Sequence, residues 1–568
     1  MSFLAKKEQF IKYSYLYAVA LLPPVLNAQE TSPMNQELIR LKNKQTIEDS
    51  EKGLEQAEKL LSLKQKKPIL IHSDIQPINE NQAIIKNITI DYSEGPYIDF
   101  KQIIKSYEGT NFTNQQILYL VKDLTDILYK KGYVTSAIGL KSTDFSGGNL
   151  SLIIHWGKVD QIYIDGEKPN NIKDKLMLST LPTIKDTIFN IHSIDQIVEI
   201  LNTTNKKVSI DVIASDKQAY SNLDLTVRRY LLPSINLGFN NSGVGNNENG
   251  RNQITTSLNM SDLLGINDSW RLSSGYRLYK KSKKNNQINY AITYTQPFSS
   301  YILETTFSHT GYKKNLAGNN GDYSSRGKTQ AINSKLSKVL FRDQENIFSI
   351  YSEIEFKKKI NYIVNRKITN RRENKISIGL SYITNLLNGK LYSDISYSNG
   401  IKWHKGESLA YKNTKDENLK LINLNITWLK PLMIKKRIIN YQLRLGAQYS
   451  PYNLYSDNQL SLGDEYTVRG FKGGILSGES GAYLSQTLSM PFYPQKYLIK
   501  YISPFFGFDI GKIYQKVLHR STSIAGSILG IKTTIGKLDL SISYGKPIIK
   551  PNNYNGKEEY YFNANLKF

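Results

Sequence analysis

The sequence predicts a membrane β-barrel of about 16 antiparallel strands, preceded by two small α+β modules and an N-terminal helix. Three observations carry this reading. From about residue 233 onward, segments in which every second residue is apolar follow one another. Residues 83–229 instead give a helix-and-strand order that occurs twice. After the first thirty residues no run of 18 apolar residues appears, which excludes helical spans. A barrel stays open, because its alternation averages away in any hydropathy window.

Bulk properties fit this class. Of 568 residues, 40% are hydrophobic and the mean hydropathy is −0.42. Thirty-nine tyrosines suit the aromatic girdles of a membrane barrel. The net charge of +25 is spread along the whole chain with no RNA-binding or helix-turn-helix signature. Lys, Asn, Ile and Tyr are all abundant, as a genomic compositional bias produces, so no nucleic-acid partner is expected. Zero cysteines removes disulfides, thiol nucleophiles and thiolate metal sites together, and is compatible with an oxidising compartment.

Taken in order, residues 1–28 read as a signal peptide: Lys6, Lys7 and Lys12, then "YSYLYAVALLPPVL", then a cleavage edge at Asn27-Ala28. Residues 29–82 read as a helix and linker. Ser32-Pro33 sets a capping serine before a proline at the first helical position. Leu38, Leu41, Leu54, Ala57 and Leu61 give only a thin apolar stripe, so this helix suits a wet environment better than a core. Pro68 and Pro77 punctuate the linker.

The first module, 83–157, runs strand, helix, helix, strand, strand. Thr113 and Gln116 form a capping box, and Ile117, Leu120, Val121, Leu124, Ile127 and Leu128 make one apolar face. The second, 158–229, repeats the order, with a helix expected to be capped by Ser193 and Gln196. Each module leaves a sheet edge suited to accepting a partner's strand.

Residues 230–568 form the barrel. In "INYQLRLGAQYS", Ile439, Tyr441, Leu443, Leu445, Ala447 and Tyr449 face one way and the polar residues the other. Sharing about 335 residues among 16 strands leaves about 21 for each strand with its connection, which suits tilted membrane-crossing strands. A soluble sandwich or propeller is disfavoured by the long alternating segments and by polar connections such as "SGVGNNENGRN" and "LAGNNGDYSSRGK". In the last segment, "EYYFNANLKF", Tyr560, Phe562, Ala564, Leu566 and Phe568 form one apolar row, which suits lipid and would be wasteful in water.

No catalytic constellation is present. The six histidines are isolated, and neither H-E-x-x-H nor G-x-S-x-G occurs, so no enzyme, cofactor or metal is expected. "GDYSSRGKT" imitates a phosphate loop but has one residue too many between Gly321 and Gly327. Attention falls on "DEYTVRGFKGG", in a connection of 451–481 with glycines at 463, 470, 473, 474, 478 and 481. A connection that long is usually functional. In "PFFGFDIG", Phe506, Phe508 and Ile510 would face lipid, leaving Gly507, Asp509 and Gly511 towards the lumen. Folded inward, the loop would let Arg469 meet Asp509 in a bidentate pair; otherwise both are solvated lumen charges.

"LGDEYTVRGF" followed by "GFDIG", after two tandem repeats and before a terminal phenylalanine, resembles the outer-membrane transporters of two-partner secretion. These are the FhaC- and ShlB-like family within the BamA-related superfamily. The resemblance implies periplasmic POTRA domains, a 16-stranded barrel and an N-terminal helix that plugs the pore at rest. It implies that Val468, Arg469, Gly470 and Phe471 form the signature loop tip and that Gly507, Asp509 and Gly511 form its partner motif on the wall. It makes Tyr560, Phe562, Leu566 and Phe568 a barrel-assembly signal. Asp464 departs from the pattern, where the family often has a glycine. The implied activity is export of an unfolded exoprotein, an adhesin, haemolysin or contact-inhibition toxin, captured by the POTRA domains without nucleotide hydrolysis. Outer-membrane lipid and the barrel-assembly machinery would be the other partners. Alternatives are an insertase of the same superfamily, which normally carries three or more repeats, and a passive porin.

Overall fold

The computed structural model describes residues 33–64, 83–141, 147–203, 205–230, 233–244, 249–318, 321–343, 345–406, 419–494, 498–552 and 554–568. The signal-peptide segment 1–28, Ser32 and the linker prolines Pro68 and Pro77 lie outside these. Among the described residues no helix is long and apolar enough to cross a membrane.

Sixteen strands close into one barrel, each antiparallel to its neighbours, from Ser234–Asn240 round to Glu559–Lys567. The pleat sorts the side chains. Phe506, Phe508 and Ile510 are 51%, 38% and 41% exposed on the outside, while the intervening Asp509 is 0% exposed. Aromatic pairs mark both rims: Trp270 and Tyr294 lie 4.7 Å apart at the end nearer the modules, and Tyr544 and Tyr560 lie 5.4 Å apart at the other. The seam is the shortest ladder of the barrel, with five partners from Asn240↔Asn563 to Asn236↔Lys567. Phe568 extends it, donating its N–H to the Ile235 carbonyl at 2.8 Å.

One expected connection is not a loop. "GDYSSRGKT" lies within the strand Gly321–Arg342, which pairs with Tyr301–Gly318 up to Gly318↔Gly321. Polar residues on both faces hide this extension, because strands that rise clear of the bilayer keep their ladder while water touches both sides.

The first module holds helices α2 (Lys101–Tyr107) and α3 (Asn114–Lys130) on a three-stranded sheet. Its central strand Asn149–His155 pairs parallel with Asn87–Asp91 and antiparallel with Ala137–Leu140. Leu120, Leu124 and Leu128 recur at the four-residue helical spacing and are fully buried with Leu150 and Leu152. Thr113 caps α3, with Gln116 closing the box from the other side.

The second module repeats the plan with α4 (Ile172–Ser179), α5 (Ile191–Leu201) and the sheet Lys158–Ile164, Tyr220–Arg229, Lys206–Ala214. The expected cap is wrong here. Asn190 caps α5 by accepting the His192 N–H at 2.9 Å, and Ser193 already lies inside the helix. Asparagine caps a helix as well as serine does. The module is bolted to the barrel through Lys206, whose buried ammonium is 2.5 Å from Asn267 Oδ1 and 3.0 Å from Asp262 Oδ2. Burial pushes the Lys206 pKa down, and Asp262 opposes that.

Candidate functional site

The lumen is the site, and two segments fill it. The first is α1 (Pro33–Lys64), 32 residues and so about 48 Å long. That exceeds a hydrocarbon thickness of about 30 Å, so one helix reaches from the far mouth to the second module. Its far end is latched by Glu37, which is 2% exposed. Arg277 on the wall donates to this carboxylate through Nε at 3.1 Å and through Nη2. Asn289 and Gln253 donate to the other oxygen at 3.0 and 3.3 Å, and Arg40 donates from the next turn at 2.9 Å. Two guanidinium groups and two amides thus converge on this deep carboxylate and compensate its burial.

Further down, α1 makes looser ion pairs. Glu48 faces Arg271 at 3.5 Å, Glu51 faces Arg444 at 3.4 Å and Glu58 faces Lys390 at 2.8 Å. Gly53 lets the helix approach Tyr392, whose ring would lie 2.2 Å from an added Cβ. Ala57 packs on Ile347 and Ile383. At the near end Gln56 donates to Glu199 of α5 at 2.7 Å, and the same carboxylate accepts from Arg342 of the barrel at 2.7 Å. Helix, module and wall thus share one side chain.

The second segment is the connection between the barrel strands Arg437–Tyr449 and Ser480–Ser489, which turns inward and spans the lumen. Its stem is tied by Asp457 to Arg371 at 2.7 Å and to Lys357 at 3.2 Å. A hairpin of Leu460–Leu462 with Leu476–Gly478 stiffens it. The tip lies on the wall formed by the strand Ile499–Gln515. Arg469 Nε and Nη2 donate to Asp509 Oδ2 and Oδ1, both at 2.7 Å, and the Arg469 N–H adds a bond to Oδ2 at 2.8 Å. Nη2 also donates to Ser485 Oγ and the Gln486 carbonyl. Of the two readings open to the sequence, the structure has the bidentate pair.

The surroundings require small residues. A Cβ at Gly507 would lie 2.4 Å from Arg469 Nη2, and one at Gly526 would lie 1.9 Å from the Arg469 carbonyl oxygen. Gly470 has φ +105°, and a Cβ there would meet the Lys546 carbonyl oxygen at 2.8 Å. Val468 and Phe471 are fully buried in an apolar cluster with Leu462, Ile513 and Ile524, against which Gly511 leaves no spare room.

The tip also touches the seam. Tyr561, inward-facing on the last strand, accepts from the Gly470 N–H at 2.9 Å and donates to the Phe471 carbonyl at 2.6 Å. Lys472 donates to the Asn241 carbonyl at 2.9 Å and to the Tyr560 carbonyl at 2.8 Å, one on each side of the seam. Tyr560 faces outward, on the side opposite Tyr561, together with Phe562 and Leu566. Asp464, the departure from the family pattern, holds the loop's turn by accepting from the Thr467 N–H and hydroxyl, both at 2.8 Å. Its second oxygen accepts from Asn43 of α1 at 2.7 Å, joining plug and loop. A cavity of about 470 Å³ lies between them, lined by Glu37, Arg40, Arg277, Asp464 and Lys472 among others.

Sequence reasoning missed Glu37, Asn43, Lys472 and Tyr561. Only Tyr561 carried a readable signal, as an aromatic on the polar face of the last strand. Among the described residues, no group of histidines and carboxylates is arranged to hold a metal ion.

Comparison with known proteins agrees with this architecture. The family described as haemolysin secretion/activation protein ShlB/FhaC/HecB matches residues 219–533, and the ShlB-type POTRA domain matches 85–157. The outer membrane transporter CdiB of Dickeya dadantii (strain 3937) is 25% identical over 444 residues, 77% of each chain. The hemolysin transporter protein HpmB of Proteus mirabilis is 24% identical over 445 residues, again 77% of each. The solved structure of CdiB from Escherichia coli superposes with a TM-score of 0.83 at 22% identity, covering 95% of this chain and 100% of that one.

Proposed function

The chain belongs to the haemolysin secretion/activation family ShlB/FhaC/HecB, and from that premise we propose how it exports its cargo. It is an outer-membrane transporter of two-partner secretion, with its modules in the periplasm and an exoprotein as its substrate. The cargo is a large adhesin, haemolysin or contact-inhibition toxin. Its N-terminal segment adds a strand to a free edge of the module sheets. Helix α1 then leaves the lumen, and the polypeptide passes to the surface. Folding outside the cell supplies the drive, since no nucleotide is hydrolysed.

One observation supports this reading above others: beyond its latch at Glu37, the helix filling the lumen is held to the wall mainly by ion pairs that water can replace. Within this scheme Val468, Arg469, Gly470 and Phe471 fix the loop on Gly507, Asp509 and Gly511 throughout the cycle. Tyr560, Phe562, Leu566 and Phe568 present the outward row by which the barrel-assembly machinery recognises the last strand. The test is genetic and electrical. Removing the chain should make one large protein vanish from the culture medium. Deleting residues 33–64 should raise ion conductance in planar bilayers, and unchanged conductance would refute the plug.

A further inference from the structure

The two sides of α4 differ in kind. Asp174 and Met177 turn inward: Asp174 bonds Asn171 at 2.6 Å and Arg229 at 3.4 Å, and the Met177 carbonyl accepts from Asn267 of the barrel's first turn at 2.8 Å. The other side carries Ile172 and Leu176, 77% and 38% exposed, between the exposed Lys173 and Lys175. The charges this helix shows to solvent are therefore both cationic. Beside it, in the same turn, Leu263 and Leu264 are 56% and 55% exposed. The turn is rigid. Asp268, fully buried, accepts from the Leu264 N–H at 3.0 Å and from Trp270 Nε1 at 2.8 Å. One carboxylate thus fixes the exposed leucines next to the tryptophan that marks the membrane rim.

We propose that this surface is a membrane-interface anchor whose occupant is the phospholipid of the periplasmic leaflet. Ile172, Leu176, Leu263 and Leu264 sit at the boundary between headgroups and acyl chains, and Lys173 and Lys175 meet the phosphates. Two observations favour lipid over a polypeptide. The patch continues the lipid-facing band of the barrel at its aromatic rim, and its exposed charges complement an anionic headgroup layer. The anchor sets the tilt of the second module against the membrane, so that its sheet edges hang in reach of the periplasm. It depends on the outer-membrane placement and not on which cargo is carried.

The cysteine-free sequence makes the test clean. Single cysteines introduced as Ile172→Cys, Leu263→Cys and Tyr97→Cys in the full chain would be spin-labelled and reconstituted in nanodiscs of phosphatidylethanolamine with phosphatidylglycerol. Heat-modifiable mobility confirms a folded barrel. The ratio of oxygen to aqueous-nickel collisions should be several-fold higher at 172 and 263 than at 97, which is 65% exposed in the first module. Lys173→Glu with Lys175→Glu should lower the ratio at 172 in anionic discs and leave it unchanged in phosphatidylcholine discs. Equal, water-like ratios at all three positions would overturn the proposal. So would a ratio that rises only when exoprotein is added, which assigns the patch to a polypeptide, or only when two copies share a disc.

Discussion

Replacing Arg469 by alanine tests the clamp most directly. The substitution removes both side-chain bonds to a carboxylate that is 0% exposed, and with them the contacts to Ser485 and Gln486. The Arg469 N–H still reaches Asp509, so the carboxylate keeps one donor and loses its counter-charge. Breaking a buried ion pair from one side costs about 3–5 kcal/mol. At ~1.4 kcal/mol per tenfold, the loop should leave the wall roughly two to three and a half decades more often. A cysteine at Val468, fully buried in the native tip, reports such excursions through its rate of maleimide labelling in the folded barrel. Val468→Cys with Arg469→Ala should label faster by that factor than Val468→Cys alone. Adding Asp509→Asn should recover part of the difference, because it removes the stranded charge. Secretion should be lost in Arg469→Ala although the barrel still inserts. A labelling rate unchanged by Arg469→Ala would refute the claim that this pair holds the loop.

Three further outcomes are expected. Gly526→Ala should reproduce the fast labelling without any change of charge, since its Cβ would lie 1.9 Å from the Arg469 carbonyl oxygen. Gly311→Ala, whose nearest contact is a histidine nitrogen at 3.3 Å, should leave the rate alone. Glu37→Ala removes the carboxylate from Arg277, leaves Arg40 with only Glu465 and Gln253, and should make channel openings in planar bilayers more frequent; native-like closure would show that the latch lies elsewhere. His192, at the start of α5, has its pKa lowered by burial from an ordinary 6.5, with Arg342 lowering it further and Asp343 opposing. A depressed histidine contributes stability that is present above 6.5 and lost as pH falls through the folded value. Amide protection of α5, corrected for intrinsic exchange, should therefore drop between pH 7 and pH 5, and His192→Asn should abolish that drop.

The period of two made the barrel legible, because a strand with lipid on one side and water on the other must alternate at every position. Where strands rise beyond the membrane, as in Gly321–Arg342, that constraint lapses and the pattern lapses with it. Ser193 with Gln196 matched a capping pattern, yet α5 is capped three residues earlier by Asn190, a residue that caps as well as serine. The pairing of Arg469 with Asp509 was readable because each sits in a short stretch that resembles a family motif. Glu37 with Arg277, or Lys472 with the two seam carbonyls, had no such mark. Those groups are 240 and 231 residues apart in the chain for the first contact of each, and a polar residue facing a lumen looks like any solvated one.

The two occupants of the lumen are held by different physics, and the difference fits what each must do. The loop tip combines a buried bidentate pair with an apolar cluster of Val468, Phe471, Leu462 and Ile524, and polar solvent cannot replace either cheaply. Helix α1 has one comparable point, Glu37, at its far end; below it the pairs to Glu51 and Glu58 are half open to water and individually worth little. Apart from the latch at Glu37 the helix meets the wall through these weaker pairs, whereas the loop meets the helix through Asn43 with Asp464 at 2.7 Å and Arg40 with Glu465 at 3.5 Å. Through these two contacts departure of the helix can be felt at the loop without passing through the wall, and the shorter is the one from Asn43. On the proposed route, a polypeptide entering beside α1 should displace the helix first and meet a loop still fixed to Asp509. In an Asn43→Ala variant the helix should leave more readily while Val468→Cys stays protected from maleimide; labelling that rises together with conductance would mean that plug and loop move as one body.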